Sequence, residues 1–177
     1  MNTWPNTLIA ALNVADAATE KRWIEDLPRN MGLQLKVATL KSSIDGLLAS
    51  HSVYTEFHGH IFLINMGMND ALTVVPSESQ WKSDYQYILD AIIAKYPEGI
   101  IYIAKPYSET CAVNCAMLAG WIDDLVLTNS TAHPGQFFVG HDESTWSAAV
   151  DDADKIHYYN TAGQAECAAQ WYAILHP

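Results

Sequence analysis

The sequence predicts an α/β fold built on a mainly parallel sheet. Three short apolar runs, HIFLINM (60–66), GIIYIAK (99–105) and QFFVG (136–140), have the length and composition of buried strands. Helical patterns lie between them, and strands that alternate with helices are joined by right-handed crossovers that place helices on both faces of the sheet. The loops after the carboxyl ends of such strands are where functional residues are expected.

The other elements follow from apolar periodicity and from residues that begin or end helices. Helices are predicted over 4–12, 42–57, 79–96, 108–127 and 161–175. A serine is expected to cap the second of these, Pro97 and Gly99 end the third, and Asn160 or Thr161 caps the last. A further strand is expected over LQLKVATL (33–40) because it is short and rich in apolar residues.

Length, composition and charge limit the classes of protein to which the chain can belong. A chain of 177 residues that is 50% hydrophobic is predicted to form one domain over 1–177. The formal net charge of −11 disfavours nucleic acid and anionic lipid as partners. No apolar run approaches the roughly 20 residues of a membrane span. Because no signal peptide is recognisable, the sequence assigns neither a cytoplasmic nor a secreted location, and it does not indicate an oligomeric state.

Neither a disulfide framework nor a metal or nucleotide site is predicted. The three cysteines, Cys111, Cys115 and Cys167, are an odd number, and the first two share one face of a predicted helix. We expect them to be small buried hydrophobes. A pair formed by His141 and Asp142 is too small to predict a metal site, and no phosphate-binding glycine loop is present, so a nucleotide-binding domain is the least favoured hypothesis.

Polar residues follow the strand HIFLINM directly, in the segment Gly67-Met68-Asn69-Asp70. A glycine permits a sharp turn out of the strand, and an asparagine placed after it can present its amide to a cleft as a neutral donor. Such a donor suits an oxyanion that develops only in a transition state. The alternative interpretation is an ordinary turn, since these residue types favour turns.

A second polar segment, Asp154-Lys155-Ile156-His157, precedes the last predicted helix. A histidine that acts as a base needs a fixed tautomer, and a carboxylate that accepts from one ring nitrogen provides it. A separation of three residues in a tight loop allows that contact. The alternative is a solvated loop in an acidic chain.

In order and spacing, these segments resemble the conserved blocks of the SGNH/GDSL hydrolases. GMND resembles their third block, and DKIH followed by NTAG resembles their fifth. TWPNTLIAAL is similar to the helix after their first block, and KSSIDGLLA to their second. The resemblance implies a flavodoxin-like three-layer α/β/α sandwich that hydrolyses carboxylic esters, often acetyl or acyl groups on sugars and lipids, without metal or cofactor.

The resemblance also implies roles for individual residues. His157 would be the general base and then the general acid, and Asp154 would orient it. Asn69 would donate to the oxyanion, together with the backbone N–H of Lys41, which stands where the family has glycine. The family's nucleophilic serine follows a first strand that has no room before Trp4. We therefore expect an N-terminally incomplete chain with the first strand missing and the nucleophile unassigned.

Two functions remain open from the sequence. The first is an SGNH-type esterase acting on a small-molecule or carbohydrate ester. The second is a catalytically inactive module of the same fold that binds carbohydrate or another ligand, for which aromatic residues around the expected site opening would be suited. Those aromatic residues are Trp81, Tyr107, Phe137, Phe138, Trp146, Tyr158 and Tyr159. His133 and His141, which are expected on loops at the same end, are further candidates for lining the pocket.

Overall fold

The computed structural model describes residues 8, 10–12, 36–50, 60–145 and 161–176. Two compact units divide the chain: Asn30–Ser144, and the two terminal segments together. Each unit is described by itself. The prediction of one domain over 1–177 stays a prediction.

The central sheet has three described strands, all parallel: β1 (Ile61–Ile64), β2 (Ile100–Lys105) and β3 (Phe137–Asp142). Their order across the sheet is β1-β2-β3. All three strands and their parallel arrangement are confirmed. Strand β3 runs two residues past its predicted end, with an irregular register near the carboxyl end of β2.

Five helices are described in the larger unit and the C-terminal segment. They are α1 (Val37–Ser50), α2 (Met68–Ala71), α3 (Glu78–Lys95), α4 (Ala112–Ala132) and α5 (Thr161–Leu175). One 3₁₀ turn, Glu109–Cys111, leads into α4, and a second, Glu143–Thr145, follows β3. The helices predicted at α3, α4 and α5 are confirmed. Leu8 and residues 10–12 are helical, which agrees with the first predicted helix.

Helix α1 corrects two predictions. The strand expected over 33–40 is wrong for Val37–Leu40, which form the first turn of the helix. The sequence could not show the cause, because the N–H of Val37 donates to a carboxylate oxygen of Asp70 at 3.2 Å, 33 residues away. The expected serine cap is also wrong: the hydroxyls of Ser42 and Ser43 donate to the Thr39 carbonyl, inside the helix.

One face of the sheet packs against α3 and α4. Phe62, Ile101 and Phe137 are paired across the three strands and are all buried, so they form one row of the core. Side chains of the two helices close over this row, among them Tyr85, Ile88, Leu89, Leu118 and Ile122. Each such side chain contributes roughly 1.5–3 kcal/mol by its burial. The core therefore fixes the sheet relative to the helices that lead into its carboxyl-end loops.

Helix α4 and its 3₁₀ turn, Glu109–Ala132, are long and apolar enough to cross a membrane by length and composition. Core helices of water-soluble proteins pass the same test. In this chain the segment carries Asp123 and Asp124, while its buried Leu118, Ile122 and Leu125 face the core. Other apolar residues of the segment, among them Val113 and Leu127, are exposed.

Helix α5 has its own buried stripe. Cys167, Ala168 and Trp171 are nearly inaccessible, and Gln164 is buried one turn earlier. Spacings of three and four residues place these side chains on one face of the helix.

Candidate functional site

The carboxyl ends of the three strands meet at one edge of the sheet, as the parallel order requires. Strand β1 leads into Asn65 and the Gly67–Asp70 segment, β2 into Pro106-Tyr107-Ser108, and β3 into Glu143. This edge is where the sequence predicted functional residues, and the contacts among its loops define the candidate site.

A buried carboxylate joins the three loops. One oxygen of Glu143, which follows β3, accepts a hydrogen bond from the Asn65 side-chain amide at 2.9 Å. The other oxygen accepts from the backbone N–H of Tyr107 at 2.9 Å. Glu143 is only 4% exposed, so bonds to its charged form have little competition from water. It ties the end of β3 to the ends of β1 and β2.

Gly67 makes the turn that the sequence predicted. Its backbone has φ 116° and ψ −20°, a conformation that side-chain-bearing residues rarely adopt. A Cβ atom at this position would also lie 3.2 Å from Pro106 Cγ and 3.6 Å from both Leu118 and Trp81. The backbone conformation therefore requires glycine, and a side chain would also crowd Pro106. The Gly67 carbonyl accepts from the N–H of Ala71, which begins the short helix α2.

Asn69 lies in α2, at the carboxyl end of β1, where the oxyanion donor was predicted. It is half-buried, and its carbonyl accepts from the Thr73 hydroxyl at 2.9 Å. The structure thus places the residue at the expected edge of the sheet. Its role as a donor to an oxyanion stays a prediction.

Asp70, the last residue of the same motif, has a structural role that the motif did not predict. It is fully buried and accepts from the first N–H of α1, that of Val37. A carboxylate at a helix N-terminus satisfies an otherwise unpaired donor and interacts favourably with the helix dipole. Burial raises the pKa of the Asp70 carboxyl, although the Val37 N–H and the positive charge of Lys36 act to lower it.

Lys41, the predicted second oxyanion residue, lies in the second turn of α1. In that position a backbone N–H is directed to the carbonyl four residues earlier. The side chain points to α3, where its Nζ contacts Asp84 at 2.6 Å. Burial acts to raise the pKa of Asp84, but Lys41 and Gln80 bring it below its usual value. Nothing in this arrangement supports an oxyanion role for Lys41, which stays an untested prediction.

The predicted base and its partner, His157 and Asp154, lie outside the described residues. The helix that follows them, α5, is described from Thr161. The caps suggested for this helix also lie outside the described side chains. The pairing of Asp154 with His157 therefore stays a prediction.

The prediction that both histidines near β3 lie on loops at the carboxyl end of the sheet is wrong. His141 is in the strand itself, is 2% exposed, and lies near its carboxyl end. Burial lowers the pKa of His141 to about 4, against an opposing effect of Asp142, so the ring is neutral near pH 7. His133 ends α4 and precedes β3, so it lies at the amino end of the sheet and cannot line the site.

The expected ring of aromatic residues is only partly present among the described positions. Trp81 and Phe137 are core residues with 1% and 3% exposure. Phe138 stacks on Tyr102 near the amino end of β3, with ring centroids 5.2 Å apart. Tyr107 follows β2 at the carboxyl end of the sheet, and the buried Trp81 packs near Gly67 at the same end. Trp146, Tyr158 and Tyr159 are outside the described residues.

A groove of about 370 Å³ opens beside the Gly67–Asp70 segment. Residues 71–73 line one wall, and residues 109–114 line the other. The Asn114 side-chain amide donates to the Ala71 carbonyl at 2.7 Å and so holds α2 against the start of α4. The volume is within the range of small-molecule sites. Among the described residues, no group of three or more potential ligands could hold a metal ion.

No protein-family model matches the sequence, and no curated protein matches it. Solved structures do match this chain. A carbohydrate esterase family 3 from Talaromyces cellulolyticus matches with a TM-score of 0.73 at 17% identity, over 97% of this chain and 88% of its own. An acetyl esterase mutant with acetate ion matches with a TM-score of 0.74 at 16% identity and the same coverage.

The family 3 carbohydrate esterase of Clostridium thermocellum is a third match, with a TM-score of 0.56 at 17% identity. The match covers 79% of this chain and 64% of the Clostridium thermocellum chain. At these identities the likeness establishes the fold. The chain has an α/β fold of the SGNH-hydrolase type, as its sequence blocks indicated.

Proposed function

We propose that this chain is an SGNH-type hydrolase domain that acts on carboxylic esters, with acetyl or acyl esters of carbohydrates as the substrate class. The observation that carries the proposal is the left-handed turn at Gly67, which begins a G-x-N-D segment at the carboxyl end of β1. The segment lies beside an open groove, in a fold shared with carbohydrate esterases.

The proposed reaction is acyl transfer with three assigned residues. A nucleophilic hydroxyl attacks the acyl carbon, its proton passes to His157, and Asn69 donates to the resulting oxyanion. The alcohol leaves with the proton from His157. Water then adds to the acyl-enzyme by the same route, which releases the carboxylic acid and restores the hydroxyl. Asp154 orients His157 throughout, and no residue of this chain is assigned as the nucleophile.

The groove favours a neutral, hydroxyl-bearing alcohol portion. Its walls include the polar residues Thr73, Glu109, Thr110 and Asn114, which are suited to hydrogen bonds with sugar hydroxyls. The net charge of −11 disfavours anionic substrates. The three structural neighbours are described as carbohydrate or acetyl esterases, which supports the same substrate class.

The test is release of acetate by the purified protein from p-nitrophenyl acetate and from acetylated xylo-oligosaccharides. Asn69→Ala should lower kcat by about 10²–10³ with little change in KM, because an oxyanion donor acts mainly in the transition state. His157→Ala should abolish most activity, and the native rate should fall as that imidazole protonates in mild acid. His133→Ala, at the amino end of the sheet, is the matched control and should leave kcat unchanged.

Absence of acetate release would distinguish between the two functions that the sequence leaves open. A pure, folded gene product that binds the oligosaccharides but releases no acetate would overturn the esterase proposal in favour of a binding module. Turnover that survives both Asn69→Ala and His157→Ala would show that a different set of residues carries the reaction.

A further inference from the structure

Two thiols, neither of which is assigned a role in the proposed reaction, lie in contact at the start of α4. The Sγ atoms of Cys111 and Cys115 are 3.3 Å apart, and both cysteines are free. The sequence predicted only that they share one face of a helix. A thiol pair at this distance, one of its members on a groove wall, is a candidate site for covalent chemistry.

The two thiols differ in access. Cys111 is half-buried and lines the groove, whereas Cys115 is 1% exposed beneath it. Burial raises the pKa of the Cys115 thiol to about 12, and its contact with Cys111 acts in the same direction. A reagent in solution therefore reaches Cys111 first, and Cys115 stays protonated until a partner sulfur is presented to it.

Cys111 lies outside the regular helix. It is the residue that precedes α4, with φ −135° and ψ 33°. The Cys115 sulfur lies 3.3 Å from the Cys111 sulfur and is therefore in reach of an adduct formed on Cys111.

We propose that Cys111 and Cys115 are a reversible thiol–disulfide pair, in which Cys111 reacts first with small-molecule disulfides and Cys115 resolves the adduct. The Cys111 thiolate attacks one sulfur of a disulfide such as oxidised glutathione and expels one glutathione thiolate. Cys115 loses its proton to water and attacks Cys111 Sγ, which expels the second. The two cysteines are oxidised and one glutathione disulfide is reduced. The two thiol protons end on the two expelled glutathione thiolates, which gives two glutathione molecules with no net release of protons.

The bond requires a local adjustment. A disulfide needs its sulfurs about 2.05 Å apart, so they must approach by roughly 1.3 Å. Cys111 can move because it precedes the regular helix, whereas Cys115 is held in the core. Residues 111–114, which form a wall of the groove, must therefore move when the bond forms. Oxidation is therefore expected to change the groove beside Asn69.

The test uses the full chain and graded ratios of oxidised to reduced glutathione, followed by rapid alkylation and intact-mass measurement. The expected product has a mass lower by two hydrogens, with Cys111 and Cys115 both protected. Cys167, which is 0% exposed in α5, should be alkylated only after unfolding and serves as the internal reference. None of these measurements depends on esterase activity, so the pair can fail without affecting the proposed function.

Two single variants distinguish the roles. Cys115→Ser should accumulate a stable glutathione adduct on Cys111, since the resolving thiol is gone. Cys111→Ser should slow native-state thiol consumption at least about tenfold, because the remaining thiols are buried. Far-UV circular dichroism would show that both variants remain folded. A wild-type chain in which all three thiols can still be alkylated in denaturant after treatment at every ratio, or a Cys111→Ser chain that reacts as fast as wild type, would overturn the proposal.

Discussion

The carboxyl ends of β1 and β3 each carry a buried carboxylate, and the two carboxylates hold different parts of the molecule. Asp70, after β1, accepts at 3.2 Å from Val37, the first residue of α1. Glu143, after β3, accepts at 2.9 Å from both Asn65 and Tyr107, which follow β1 and β2. Asp70 therefore positions a helix, whereas Glu143 joins the strand ends to each other.

The comparison teaches that equal burial does not imply an equal contribution to stability. A buried carboxylate must recover the hydration that it loses, and the recovery depends on the number and length of its hydrogen bonds. Glu143 has two short bonds from amide groups. The raised pKa of Asp70 shows that its single long bond and nearby charges do not fully offset its burial.

The largest effect is expected for Glu143→Ala. The change removes the acceptor for two donors, and hydrogen bonds to charged groups are worth about 1.5–3 kcal/mol each, so we expect a loss of about 3–4 kcal/mol in the free energy of unfolding. Urea denaturation monitored by tryptophan fluorescence measures it. Asn65→Ala is the matched control, since it removes one bond and exposes the carboxylate to water; its loss should be about 1 kcal/mol.

The double variant sharpens the result. If the Asn65–Glu143 hydrogen bond contributes to both single losses, the loss of stability in the double variant will differ clearly from their sum. Losses that simply add, or a Glu143→Ala variant as stable as wild type, would contradict the view that Glu143 joins the strand ends.

A smaller effect is expected at His141, which lies in β3 two residues before Glu143. Its pKa is about 4 when folded and 6.5 in its unperturbed state, so the unfolded chain binds a proton first as the pH falls. Stability is therefore fully present above pH 6.5 and is lost as the pH falls toward 4, by at most about 3 kcal/mol. His141→Gln should flatten that part of the curve of unfolding free energy against pH.

His133→Gln provides the comparison for this measurement, because His133 lies at the opposite end of β3 and is only half-buried. Its curve should follow that of wild type. If both variants flatten the acid limb equally, or neither does, burial of His141 is not what makes the fold sensitive to acid.

The same contrast shows what the sequence can predict. Local periodicity is enough to predict β1, β2, β3 and the long helices. The spacing of apolar residues that marks each element lies within one short stretch of sequence. The turn at Gly67 was predictable for the same reason, since a glycine directly after a buried strand suits a sharp turn. The motif around it predicted the edge of the sheet at which Asn69 lies.

Long-range contacts were not predictable in this way. The first N–H of α1 donates to Asp70, 33 residues away, and no short stretch of sequence shows that contact. Glu143 was missed because its amide partner is 78 residues earlier in the chain and no short motif surrounds it. Its position directly after a strand was the one available signal. Lys41 was assigned by alignment with a family block, and its location in the second turn of α1 was not visible from that block.

The smallest effect, and the sharpest test of the comparison, is expected for Asp70→Asn. Asparagine keeps an oxygen that can accept from the Val37 N–H but carries no charge to bury. At pH 7 we expect the variant to lie within about 1 kcal/mol of wild type, whereas Asp70→Ala, which removes the cap altogether, should lose about 1–2 kcal/mol. Urea denaturation of the three proteins at matched pH gives both differences.

The pH dependence of the Asp70→Asn difference decides whether burial dominates at this position. Because the folded pKa of Asp70 lies above the unperturbed value of 3.8, its contribution is fully present below pH 3.8 and is lost as the pH rises through the folded pKa. Wild type should therefore lose stability relative to Asp70→Asn as the pH rises from 4 to 7, opposite in sign to the His141 effect, which cancels in this difference. A difference that instead grows in favour of wild type would mean that the charged cap on α1 outweighs the burial of the carboxylate, and Asp70 would then resemble Glu143.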